Sequence, residues 1–192
     1  MILVVEILEG IHTGRDFLTD DGMPLAPVLT SPWIGVEHGG AGRGLGGQVR
    51  DRLRAQLDTS FQMIRNARDR GISVMSGSDT GNAPAFNHGR WHGKEAELLV
   101  KEVGMPPMAA IVANTSHNAW LMGLEGEVGV IAPGKLADIV IWNSDPLADI
   151  TVLQRPSEIS TIIKDGRVVD REAGGFRQLP DELPRARASI SG

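Results

Sequence analysis

The chain has 192 residues, 41% of them hydrophobic and 22% charged, with a formal net charge of −5. That is a globular composition with no electrostatic case for a nucleic-acid partner. It contains no cysteine, which excludes disulfides and thiolate metal sites and leaves histidine and carboxylate as the possible metal ligands.

The first ten residues, "MILVVEILEG", are apolar but carry Glu6 and Glu9 and no basic flank. They read as neither a signal peptide nor a membrane span, so a cytoplasmic location with no membrane partner is the expectation. Residues 2–8 form a β-branched and aliphatic run expected to be a buried strand, ending at Gly10 and the "HTGRD" turn residues. "MPLAPVLT" is a second short strand candidate, with Pro24 and Pro27 weakening it. "GVEHGGAGRGLGG" follows as a glycine-rich loop. Within it, Gly42, Gly44 and Gly47 satisfy G-x-G-x-x-G before a helix, which keeps a nucleotide-binding domain as a minor alternative. The preceding strand candidate ends near Thr30, however, whereas that fingerprint needs strand and glycines contiguous.

From Gln48 to Arg70, Val49, Leu53, Leu57, Phe61 and Ile64 recur at steps of four and three, the pattern of one buried helix face, with Gly71 as its stop. Arg50, Arg52, Arg54, Arg65, Arg68 and Arg70 share this segment with Asp51, Asp58 and Asp69, as on a solvated helix face. "ISVMSGS" is the next strand candidate, and it runs into Asp79. A carboxylate among Ser, Thr, Gly and Asn is either a turn residue or a catalytic group at a strand end. "GKEAELLVKEVG" places Ala96, Leu99, Val100 and Val103 on one face of a second helix, and "MPPMAAIVANTSHNAWLMGL" reads as a third with proline in its first turn. This alternation is α/β with parallel strands. After Leu124 the pattern changes to short strands joined by Pro-Gly and Asp-Gly turns. Asp165-Gly166 is the strongest hairpin signal, because a type I′ turn needs positive φ at both central residues.

"VGVIAPGKLADIVIWNSDPL" closely resembles the segment that follows the barrel in amidohydrolase-superfamily enzymes, of which imidazolonepropionase-like and prolidase-like hydrolases are members. Gly129, Ile131, Pro133, Gly134, Lys135, Ala137 and Asp138 fit that pattern. "NTSHNAWLMGL" is similar to the family's last barrel helix, and "ISTIIKDGRVVDR" to its final hairpin. The resemblance implies a partial TIM-like (β/α) barrel, holding strands six to eight, over residues 1–123. It implies a small C-terminal β-sandwich unit over 124–173, and leaves a loose tail at 174–192. A complete barrel of this type needs about 250 residues.

The same resemblance places Asp79 at the C-terminal end of strand eight, where family members use an aspartate as metal ligand and general base in hydrolysing amide-like C–N bonds of small molecules. It implies a divalent metal, zinc above others. His12 is the expected strand-six ligand, with His38 in "VEHGG" the alternative. A loop histidine without a ligand role is the competing reading of His12. His88 and His92 are candidate substrate-binding residues, though loop histidines explain them equally well. His117 reads as structural and Trp91 as packing. The chain lacks His-x-His, and Lys94, Lys101, Lys135 and Lys164 all follow Asp79, so the family's other ligands are missing. The expectation is therefore the C-terminal portion of a hydrolase whose activity needs a missing N-terminal half. The alternative is a non-catalytic remnant or self-associating module, with homo-oligomerisation through its open strand edges.

Overall fold

The computed structural model describes residues 25–38, 47–78 and 90–170. Residues 2–8, His12, Asp79, His88 and the tail beyond 170 lie outside them, as do Gly42 and Gly44. The described helices are α1 (Thr30–His38), α2 (Gly47–Asp69), α3 (Arg90–Lys101), α4 (Pro107–Val112) and α5 (Asn118–Leu121). A π turn, Ala113–His117, joins α4 to α5. Three strands follow: β1 (Ile139–Trp142), β2 (Ile159–Lys164) and β3 (Arg167–Val168), with 3-10 turns at Ile150–Gln154 and Pro156–Glu158 between β1 and β2.

The two expected parallel strands meet where the sequence puts them, but only as short bridges, Leu25 to Val74 and Val28 to Gly77. The bonds Leu25 N–H to Ser73 O (3.0 Å), Met75 N–H to Leu25 O (2.8 Å) and Gly77 N–H to Pro27 O (3.1 Å) set a parallel register. The opposite edge of the 73–78 segment is taken by side chains. Asn118 accepts from Ser76 N–H at 3.2 Å and donates to Ser76 O at 2.8 Å. His117 Nδ1 lies 3.2 Å from Val74 O. One asparagine thus replaces both backbone bonds that a neighbouring strand would make at Ser76. The π turn adds a residue just ahead of this pair.

A single apolar cluster joins these parts. Phe61, Ile64 and Ala67 of α2 share it with Leu98, Leu99 and Val103 from the α3 segment and with Val36, Val74, Ala110 and Ile150. Ile150 comes from beyond the expected unit boundary at 124, so the C-terminal residues share this core. Gly93 allows that contact: a Cβ there would lie 2.4 Å from Leu153 O and 2.6 Å from Leu153 C.

Three local expectations are corrected. Residues 30–38 are helical, so Gly35–His38, expected to open the glycine-rich loop, end a helix instead; Pro32 falls in its first turn, where a missing N–H costs nothing. Val49 is 43% exposed, because the core that α2 packs on begins one turn later at Leu53. Two of the helix arginines are not merely solvated: Arg65 donates to Glu102 O and Arg68 to Val103 O (3.5 Å), capping carbonyls at the end of α3.

The Asp-Gly hairpin forms as the pattern requires, with φ of 51° at Asp165 and 74° at Gly166. β1 and β2 pair antiparallel, β2 and β3 likewise, in the order β1-β2-β3. Asp138 holds the hairpin tip. Its Oδ1 accepts from Asp165 N–H at 2.8 Å, its Oδ2 from Lys164 Nζ at 2.5 Å, and the neighbouring Ala137 O accepts from Gly166 N–H at 3.0 Å. The Ala-Asp pair of the recognised motif is therefore a structural lock. Among the described residues no helix is long and apolar enough to cross a membrane.

Candidate functional site

Helix α3 organises the C-terminal ends of both parallel segments through its first two turns. Trp91, Glu95 and Leu99 recur every four residues and are all buried. Glu95 is fully buried and reaches the start of α1. Its Oε1 accepts from Leu29 N–H at 2.9 Å, and its Oε2 from Thr30 N–H at 2.8 Å and the Thr30 hydroxyl at 2.5 Å. This carboxylate caps a helix 65 residues away and fixes the end of the Leu25–Leu29 segment. Burial pushes its pKa up to about 7, even though hydrogen bonds from Thr30 and Leu29 pull the other way. A protonated Glu95 also fits here, since the Thr30 hydroxyl can accept from it and turn toward Trp91 O at 3.5 Å.

One turn earlier, His92 Nδ1 lies 2.8 Å from Ser78 Oγ. Ser78 is buried and immediately precedes Asp79, so it anchors the imidazole rather than meeting a substrate itself. Of the sequence-derived site residues, the structure describes His92 and brings it to the end of the expected strand eight. Asp79, His12 and His88 lie outside the described residues. His38, the alternative ligand, is the last residue of helix α1. His117 bonds to Val74 O and Trp91 is 2% exposed against Trp33, their centroids 6.1 Å apart, matching the structural roles expected of both.

The outer side of α3 is held by a second polar group. Glu97 bridges Lys94 at 2.5 Å and Lys101 at 2.8 Å and accepts from Gln154 Nε2 at 2.7 Å. Burial would raise its pKa, but those hydrogen bonds outweigh burial and bring it to about 2. Lys94 also sits 4.1 Å above the Trp33 ring, a cation–π contact between α3 and α1.

Sequence reasoning missed Glu95, Ser78 and Asn118. Glu95 carried a usable signal: a carboxylate in line with Trp91, Leu99 and Val103 on an apolar face needs buried donors. Among the described residues, no three histidine, aspartate or glutamate side chains stand close enough to hold a metal. The described residues alone therefore do not make a metal centre. A groove of about 1760 Å³ runs from His92 between α4–α5 and the three-stranded sheet.

A family model described as the Amidohydrolase family matches residues 48–169, a span that contains Asp79, His92 and Asp138. The chain is 29% identical over 142 residues to ochratoxinase from Aspergillus niger, covering 73% of this chain and 28% of that protein. It is 36% identical over 62 residues to imidazolonepropionase from Ralstonia nicotianae, covering 32% of this chain and 15% of that protein. In three dimensions it resembles a Xaa-Pro dipeptidase crystallised with methionine in its active site. The TM-score is 0.65 at 27% identity, over 81% of this chain and 36% of the other. This chain thus spans little more than a quarter of the length of that ochratoxinase.

Proposed function

This chain belongs to the amidohydrolase family, and on that premise we propose that it is the C-terminal portion of a hydrolase acting on amide-like C–N bonds of small molecules. The carrying observation is that one helix ties the ends of both parallel segments: the His92 imidazole bonds Ser78, the residue before Asp79, while Glu95, one turn along, bonds Thr30 at the end of the adjacent segment.

In this reading residues 1–123 are the last part of a TIM-like barrel, 124–173 contribute strands to a β-sandwich, and Asp79 lies at the barrel mouth. Its carboxylate accepts the proton of the attacking water and passes it to the leaving nitrogen as the C–N bond breaks. His88 and His92 face the substrate, and the bond to Ser78 limits the ring orientations open to His92. Asp79 and His12 would hold a divalent cation, zinc above others. Two ligands fall short of the roughly three that a catalytic zinc takes from protein, so groups beyond this chain complete the site. The likeness to a Xaa-Pro dipeptidase suggests where to start: Xaa-Pro dipeptides are the first substrates to try.

The test is bound zinc or manganese and dipeptide hydrolysis, measured for the chain alone and combined with an N-terminal half drawn from a relative. The expected result is metal uptake and turnover in the combination, both lost in Asp79→Ala. If the combination shows neither, and Asp79→Ala leaves metal content unchanged, the reading is wrong.

A further inference from the structure

Among the described residues, backbone pairing between the two parallel segments stops at the bridge of Val28 with Gly77. The residues that follow are held by side chains of α3 instead: Leu29 and Thr30 by Glu95, and Ser78 by His92. Those two side chains are three positions apart, about 4.5 Å along the helix axis and on one side of it. One rigid helix therefore sets the distance between two chain ends that no longer bond each other.

The Glu95 carboxylate suits its partners closely. Its two oxygens take the Leu29 N–H, the Thr30 N–H and the Thr30 hydroxyl at a fully buried position. An amide there would offer one oxygen and turn its NH₂ toward one of the two backbone N–H groups, leaving a buried donor unpaired. The helix has no room to retreat from such a mismatch. Gly93 is two positions from Glu95 and so on the opposite side of α3, and a Cβ there would already lie 2.4 Å from Leu153 O. A change at Glu95 is relieved by turning or tilting the first turns of α3, and His92 moves with them.

We propose that Glu95 is a positioning residue of the hydrolytic site: its hold on Leu29 and Thr30 sets the placement of α3 that keeps the His92 imidazole against Ser78. This rests on the reading of His92 as a substrate-facing residue. The tolerance is small, because a displacement of about 1 Å takes the 2.8 Å contact of His92 Nδ1 with Ser78 Oγ beyond hydrogen-bond range. Leu98, Leu99 and Val103 stay in the apolar cluster meanwhile, so the site loosens without unfolding.

The test is nitrogen-15 NMR of the imidazoles in the full chain at about pH 8, where histidine of ordinary pKa is neutral. His92→Gln identifies the His92 signals among the five histidines, and Ser78→Ala gives their position when the Ser78 contact is absent. Glu95→Gln is expected to move them most of the way to the Ser78→Ala position. Thr30→Val, which withdraws one donor and keeps the side-chain shape, should move them in the same direction, and Thr30→Ser should leave them in place. Glu97→Gln disturbs the other side of the same helix and should not shift them. His92 signals unchanged in Glu95→Gln overturn the proposal; if that variant does not fold, unchanged signals in Thr30→Val do so. An equal shift in Glu97→Gln overturns it too, since any loosening of α3 would then suffice. The hydrolytic reading fails separately, by absence of metal uptake and turnover, neither of which enters this measurement.

Discussion

Replacing Glu95 by glutamine should change the pH dependence of stability with a sign set by the burial of this one carboxyl. In the unfolded chain Glu95 titrates near its ordinary value of 4.5; in the fold it titrates near 7. Below pH 4.5 it is protonated in both states and its full contribution is present. Between 4.5 and 7 the unfolded chain releases the proton while the native protein keeps it, so stability falls as pH rises. Above 7 both states are ionised and the loss is complete, at about 3 kcal/mol for this separation of pKa values. Other groups titrate in the same range, and Glu97 works the opposite way: its depressed pKa supplies stability above pH 4.5 that is lost toward pH 2. The difference between wild type and Glu95→Gln cancels those contributions. Urea unfolding followed by tryptophan fluorescence from pH 4.5 to 8 should show the wild type losing about 3 kcal/mol relative to the variant. Parallel curves would mean that Glu95 does not titrate in this window. A Glu95 held ionised throughout by its donors would give those same parallel curves, because the unfolded chain is also ionised above about pH 4.5.

Substitutions at three further positions test other contacts. Gly93→Ala gains about 1 kcal/mol of helix propensity, but its Cβ would sit 2.4 Å from the rigid Leu153 carbonyl oxygen. The net is expected to be a loss of about 1–3 kcal/mol, read as a fall in melting temperature; a neutral or stabilised variant would show that the Ile150–Gln154 turn yields freely. Asn118→Ala strands the N–H and carbonyl of Ser76. It should cost about 1–3 kcal/mol and speed amide exchange at Ser76 more than at Val74. Asp138→Ala should speed exchange of the Asp165 amide, and Asp138→Asn should restore its protection without restoring the Lys164 ion pair. Unchanged exchange in the alanine variant would show that the Asp-Gly turn holds itself.

What could be read from the sequence was what neighbours in the chain dictate. The period of α2, its stop at Gly71 and the Asp165-Gly166 turn depend on residues a few positions apart, and each stands where the pattern put it. The helix Thr30–His38 did not show itself, because its cap comes from Glu95 and its stabilising ring contact from Lys94, both some sixty residues later in the chain. Strand pairing was hidden for the same reason: the 73–78 segment has a backbone partner on one edge and an asparagine on the other, and local propensity encodes neither.

Of the two aspartates singled out in the sequence, Asp79 and Asp138, the structure describes Asp138. Asp138, the stronger match to the motif, spends both carboxylate oxygens on the hairpin it precedes, and so has none left for chemistry. A motif aspartate with that job is selected for where it holds the chain, not for what it can protonate. In the proposed function the catalytic role falls to Asp79; of the residues before it, Ser78 is tied to α3 through His92 and Ser76 to α5 through Asn118. Two ties, at Ser76 to α5 and at Ser78 to α3, are more than a surface turn needs. They are what a strand end requires if its last carboxylate must be held to a fixed position.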